Sequence, residues 1–127
     1  MVYTETKLLR VVEREAPTLK VAAIASQYKV GDTMSIPNYE LSDNSGEYML
    51  DVMLIMPDNE MRLLIHDENG EVISKLTSDD MTYNASFKVN ANTFRFERAG
   101  NFILRFFAYD ENFNYVTLEF AITVVDA

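Results

Sequence analysis

The sequence predicts an all-β protein, a two-sheet antiparallel β-sandwich. Three observations carry that prediction. Apolar residues recur at every second position, the period of side chains that alternate between the two faces of a strand. Clusters rich in Asn and Asp separate these runs at short intervals, and many short strands divided by turn signals indicate a sandwich. Gly and Pro number only 4 and 3, so Asn and Asp take the turn positions.

In chain order, the first short alternating runs are Leu8–Val12, Leu19–Ala23 and Thr33–Ile36. Tyr48–Ile55 follows as a strand. The neighbouring run Met49–Met56 is almost continuously apolar, so periodicity alone does not separate it from a buried helix. Met61–Ile65 and Glu71–Leu76 read as the arms of a hairpin closed by His66-Asp67-Glu68-Asn69-Gly70. Asn69-Gly70 supplies the positive-φ residues that a tight turn needs. Helix is favoured nowhere beyond a turn or two at Thr77–Met81. Ser86–Val89 and Thr93–Phe96 are further strands. Pro17, Pro37 and Pro57 each stand at the edge of a run, where a missing N–H does little harm.

The clearest alternation lies near the C-terminus. Phe102, Leu104, Phe106 and Ala108 fall on one face of Phe102–Asp110, with Ile103, Arg105, Phe107 and Tyr109 on the other. In Val116–Val125 the apolar face is Val116, Leu118, Phe120, Ile122 and Val124. The opposite face is mixed, as in an antiparallel sheet with one wet side. Asp110-Glu111-Asn112-Phe113-Asn114 joins the two runs as a hairpin loop. Phe87, Phe94, Phe96, Phe102, Phe106 and Phe120 are the expected aromatic core.

Composition narrows the function. A chain of 127 residues fits one domain, and a chain near that size hides roughly two thirds of its unfolded surface. The net charge of −9 repels phosphate backbones and anionic lipid, so nucleic-acid partners are not expected. No apolar run reaches the ~18 residues of a spanning helix, so membrane insertion is not expected either. The N-terminus shows no apolar stretch behind a basic start, so no signal peptide is expected. Cys is absent, which excludes disulfides, thiol nucleophiles and Cys-based zinc sites. No Gly-rich phosphate loop and no Gly-x-Ser-x-Gly elbow occurs, and the one His stands in a predicted turn. These absences point away from an enzyme and from any cofactor.

Several stretches taken together carry a family likeness. Ala99-Gly100-Asn101-Phe102-Ile103-Leu104-Arg105-Phe106-Phe107-Ala108-Tyr109-Asp110 resembles the closing signature of bacterial immunoglobulin-like domains. That signature is a Gly, an aromatic two residues on, alternating apolar residues, Ala and then Asp. Asn114 and the terminal Ile122-Thr123-Val124-Val125-Asp126 fit its continuation. Upstream, Ala16-Pro17, Val30-Gly31-Asp32-Thr33-Met34-Ser35-Ile36-Pro37, Asp43-Asn44 and Thr93-Phe94-Arg95-Phe96 are similar to the family's earlier segments. The likeness covers Ala16 to Asp126. Three departures stand out: Phe113 occupies the family's usual Gly position, Phe102 its usual Tyr, and the middle around Met61 to Met81 is longer and more Met-rich than the family's. The resemblance implies an immunoglobulin-like (or PKD-like) sandwich, extracellular or on a bacterial cell surface. It implies a non-enzymatic structural or adhesive role as one repeat of a larger protein. Neighbouring immunoglobulin-like domains of the same chain are then its first partners, and a protein or glycan ligand a further one. A carbohydrate-binding accessory domain and a phage virion decoration module are the alternative roles.

An internal echo bears on domain limits. Thr4-Glu5-Thr6-Lys7-Leu8-Leu9-Arg10-Val11-Val12-Glu13 parallels Thr117–Asp126, both ending Val-Val-acid. Residues 1–14 therefore read either as the last strand of a preceding repeat, or a linker, or as a strand that shares composition by chance. Residues 15–127 form the sandwich domain.

Candidate sites are few. Phe107, Tyr109, Phe113 and Tyr115 lie off the core face or beside the loop, where aromatic rings can stack on sugars or anchor a partner. The plain alternative is that Phe107 and Tyr109 are covered by a neighbouring strand or loop. Asp110, Asn112 and Asn114 have a spacing that could turn oxygens toward Ca²⁺. The Gly and Glu positions of a calcium loop are instead Tyr115 and Ala121, so a hairpin loop bonded to its own backbone is the competing reading. Asp43-Asn44 with Asp79-Asp80 would make an oxygen site only if the fold joined them.

Overall fold

The computed structural model describes residues 17–42, 47–76, 81–83, 85–90 and 93–127. Twelve strands carry the fold and no helix occurs among the described residues. In chain order they are β1 (Thr18–Val21), β2 (Gln27–Lys29), β3 (Thr33–Ser35), β4 (Tyr39–Ser42), β5 (Tyr48–Ile55) and β6 (Met61–Glu68). Then come β7 (Glu71–Lys75), β8 (Met81–Tyr83), β9 (Phe87–Asn90), β10 (Thr93–Phe96), β11 (Gly100–Asp110) and β12 (Tyr115–Val125). The strand expected at Leu8–Val12, the boundary at residue 14, the helical turn at Thr77–Met81 and the pairing of Asp43-Asn44 with Asp79-Asp80 lie wholly or partly outside the described residues.

A six-stranded sheet in the order β2-β12-β11-β5-β6-β7 faces a four-stranded sheet in the order β3-β10-β9-β8. A two-stranded ribbon, β1-β4, completes the set. In the large sheet β6 and β7 extend the β12-β11-β5 trio, as the two added strands do in a variable-type sandwich, and β2 joins the opposite edge as the sixth strand. The structure is thus a two-sheet β-sandwich, as the alternation predicts, and an immunoglobulin-like one, as the family resemblance implies. One pairing departs from the antiparallel expectation: β2 runs parallel to β12, with Val124 opposite Tyr28.

Alternation along β11 explains the layer. Phe102, Leu104, Phe106 and Ala108 are all buried, with exposures no greater than 1%. Across the sheet, Leu50, Val52 and Leu54 of β5 point the same way. Rings bridge the two sheets: Phe96 of β10 meets Phe102 of β11 edge-on at 5.1 Å, and Tyr28 lies 5.1 Å from Phe96. Burying each of these Phe or Leu side chains contributes roughly 1.5–3 kcal/mol relative to exposure. Met49–Met56 is extended, which resolves the helix alternative: Leu50, Val52, Leu54 and Met56 alternate inward with the period of a strand. Phe120 sits at the core margin, partly buried and edge-on to Phe106 at 5.9 Å.

Two local features are sharper than the sequence reading. The hairpin expected as a five-residue loop from His66 to Gly70 is a two-residue turn. Asn69 and Gly70 take φ of 57° and 87°, which is a type I′ turn whose twist matches the flanking strands. His66, Asp67 and Glu68 are therefore strand residues. Where β5 meets β6, Val52 faces Ile65 but Met53 faces Leu63, so Leu64 is the extra residue of a bulge. That is why Leu64 and Ile65, adjacent in sequence, are both buried. At the start of β11, Gly100 has φ of 144°, and a Cβ there would come within 2.7 Å of Pro57 Cγ, so the signature glycine is a steric requirement.

Candidate functional site

The large sheet buries one face and turns the other outward. On the outward face the register places Tyr115 opposite Tyr109, and Phe107 between Thr117 on β12 and Asp51 on β5. The three rings form one cluster, with Phe107 5.3 Å from Tyr109 and 5.6 Å from Tyr115, both tilted. Phe107 and Tyr109 are partly exposed and Tyr115 is 63% exposed. Burial, with Asp51 and Glu68 near it, pushes the Tyr109 hydroxyl above the usual phenol range. Of the four aromatic candidates, the structure therefore joins three.

Phe113 stands apart at the tip of the β11–β12 hairpin. It is 87% exposed, and its φ is 66°. The loop is a turn from Asp110 to Phe113, in which the Phe113 N–H bonds to the Asp110 carbonyl at 3.2 Å, and Phe113 itself is its left-handed residue. Gly takes that position at no steric cost, whereas an L-residue there pays roughly 1–2 kcal/mol. A bulky aromatic side chain is held there in water, at a local cost in stability.

Asp110 anchors the same loop. It is 1% exposed, and its Oδ1 accepts the backbone N–H groups of Asn112 and Asn114, each at 2.9 Å. Its Oδ2 accepts from Asn114 Nδ2 at 3.2 Å. These bonds give Asp110 and Asn114 a structural use within the hairpin, while the Asn112 side chain is exposed. Among the described residues, no group of three or more His, Asp or Glu side chains is placed to hold a metal ion.

Beside the aromatic cluster lies an ion-pair row that sequence reasoning did not find. His66 Nδ1 is 2.6 Å from Asp51 Oδ1, and Nε2 is 2.9 Å from Glu68 Oε2. A neutral imidazole carries one N–H and can donate one bond, so satisfying both carboxylates requires the imidazolium. These bonds, first that to Asp51 and then that to Glu68, hold the ring above the usual imidazole range. The signal was the i, i+2 spacing of His66 and Glu68, which shares a face only once both are strand residues. On the inner side of the same turn, Asp67 is 3% exposed. Its Oδ1 accepts the Gly70 N–H at 2.9 Å, and its Oδ2 accepts the Tyr39 hydroxyl at 2.8 Å. Burial and that carboxylate push the Tyr39 phenol up.

Further along the outward face is a shallow depression of about 430 Å³. Met53, Arg105, Phe107, Thr117 and Glu119 line it. Arg105 Nε donates to Glu119 Oε2 at 2.6 Å, bridging β11 and β12. The face thus offers aromatic rings, a thioether and hydrogen-bonding groups.

Among the described residues, no helix is long and apolar enough to cross a membrane. No family model matches the chain, and no curated protein matches it. Among solved structures, one similar chain is that of murine CRIg, at 10% identity and a TM-score of 0.39. The match covers 87% of this chain and 98% of that one.

Proposed function

We propose that this chain is a non-enzymatic adhesive module of a larger, surface-exposed bacterial protein, and that it binds its partner through the outward face of the six-stranded sheet together with the tip of the β11–β12 hairpin that continues it. The observation that carries the reading is Phe113, an aromatic residue 87% exposed on left-handed backbone. Backbone strain of this kind clusters at functional sites. The Phe107–Tyr109–Tyr115 cluster supports the reading, because partly exposed aromatic rings dominate the energetics of protein interfaces. The likeness to bacterial immunoglobulin-like repeats supports the surface setting and the tandem arrangement with neighbouring domains. The acidic balance of −9 fits a solvated outer domain.

The test is display of the chain on a non-adherent bacterium, scored by attachment to plates coated with matrix proteins. Display of the parent chain raises attachment, and Phe107→Ala and Tyr115→Ala each lower it about tenfold while the far-ultraviolet dichroism stays that of a β-protein. Attachment equal to that of the undisplayed strain, or attachment unaffected by both substitutions, overturns the proposal.

One observation favours a second reading, a carbohydrate-binding accessory domain. The depression beside Phe107 combines a ring face with Thr117 and the Arg105–Glu119 pair, and paired polar groups beside an aromatic platform suit sugar hydroxyls. A glycan array separates the two readings. Retention of any sugar signal after Phe107→Ala removes this one.

A further inference from the structure

The aromatic cluster on the outward face runs straight into charge of one sign. Two cross-strand rows show it. One passes from Tyr115 and Tyr109 through Met49 to Glu68 and Glu71. The next passes from Phe107 through Asp51 to His66. The rings at one end thus give way to three carboxylates at the other, and His66 is the one basic side chain among these residues. It already spans Asp51 and Glu68, and one imidazolium does not balance three carboxylates.

The excess has a structural cost. Glu68 and Glu71 stand directly opposite each other across the hairpin, and like charges so placed destabilise an antiparallel pair. Both are exposed. A carboxylate offers about four acceptor sites, and His66 takes one each from Asp51 and Glu68, so both can accept further donors. Behind burial, the charges of Asp51 and Glu68 raise the Tyr109 hydroxyl, which puts these carboxylates within electrostatic reach of the rings.

Rings and carboxylates side by side select one chemistry. A ring face attracts a cation, and a carboxylate accepts that cation's N–H groups. The planar guanidinium does both, and it sheds water more readily than an ammonium does. The net charge of −9 steers such a partner toward the chain. A second copy of the chain, with 20 acidic residues against 11 basic, brings the opposite of what the face lacks.

We propose that the outward face takes a protein segment bearing arginine side chains, whose guanidinium groups lie on the Phe107, Tyr109 and Tyr115 rings and bond to Asp51, Glu68 and Glu71. This rests on the reading of the face as a binding surface and names the chemistry of its partner.

The test is a nuclear magnetic resonance titration of the full chain with a flexible peptide of alternating Arg and Gly. Two further peptides carry Lys, or uncharged citrulline, in place of Arg. The Arg peptide moves the signals of Tyr109, Tyr115 and Glu68 together and binds more tightly than the Lys peptide, and the citrulline peptide does not bind. Glu71→Gln and Tyr115→Ala each weaken binding about threefold, the size of one exposed ion pair or cation–ring contact. Glu71→Gln keeps both His66 bonds and removes one of two opposed charges, so it folds at least as well as the parent chain. Glu40→Gln, an equal loss of charge at an exposed position of β4, leaves binding unchanged. No binding of the Arg peptide overturns the proposal. So does a Lys or citrulline peptide that binds as tightly, or a Glu40→Gln variant weakened as much as Glu71→Gln. In the display assay, attachment lost with Phe107→Ala but indifferent to Glu71→Gln also overturns it, and leaves the adhesive reading standing. Arg-peptide binding at these residues by a chain that raises no attachment supports the site and removes the adhesive reading instead.

Discussion

Asp110 shows how one side chain sets a loop. Its buried carboxylate holds the N–H groups of Asn112 and Asn114, and so aims Phe113 outward. Replacing it with Ala leaves those donors without their acceptor at the end of two long strands. We expect Asp110→Ala to lower the unfolding free energy by roughly 1–3 kcal/mol, the cost of stranding buried polar groups, as read by urea titration. Asp110→Asn keeps one acceptor oxygen and costs less. A loss of stability that appears only in the presence of calcium would instead assign Asp110 to a metal. The Asp-x-Asn-x-Asn spacing was legible in the sequence, but its meaning was not. Calcium ligation and an Asx-type loop use the same residues, and only the direction of the oxygens separates them. Phe113 was legible as a departure from a glycine position; its left-handed φ explains why that departure matters.

At the scale of elements, the long strands were plain and only some of the short ones were. Tyr48–Ile55 and Thr93–Phe96 have the expected limits, and the two C-terminal strands differ from expectation only at their starts. Gln27–Lys29, Tyr39–Ser42 and Met81–Tyr83 were missed, because three or four residues give alternation too little length to register. The bulges at Leu64 and Ile73 shift register without any glycine or proline to announce them. The hairpin between β6 and β7 was recognised from Asn69-Gly70 but drawn too wide, which hid the Asp51–His66–Glu68 row. That row makes a pH prediction. The folded state holds the His66 proton more tightly than the unfolded chain does. Its stabilisation is therefore complete below about pH 6.5, the ordinary imidazole value, and is lost as pH rises through the raised folded value. Urea midpoints measured from pH 6 upward should fall over that window, and His66→Gln should flatten the fall. An unchanged slope in the variant would mean that other groups carry it.

At the scale of the molecule, the two faces of one sheet divide the work. The inner face of β11 meets the second sheet through Phe102, while its outer face gathers Phe107 and Tyr109 with Tyr115. The period-two pattern made this division visible from the sequence, down to which aromatic residues point away from the core. The strand order was not visible, because a parallel pairing such as β2 with β12 is a long-range contact with no local signature. The sandwich is the support, and the aromatic face with the hairpin tip that continues it is the proposed reason for it, a division that Phe113→Gly tests most directly. A glycine relieves the left-handed backbone and removes the exposed ring in one step. The account predicts opposite signs: the urea midpoint rises, by roughly 1 kcal/mol of stability, while attachment in the display assay falls. A variant that loses stability, or that gains it and attaches as well as the parent chain, would contradict the account.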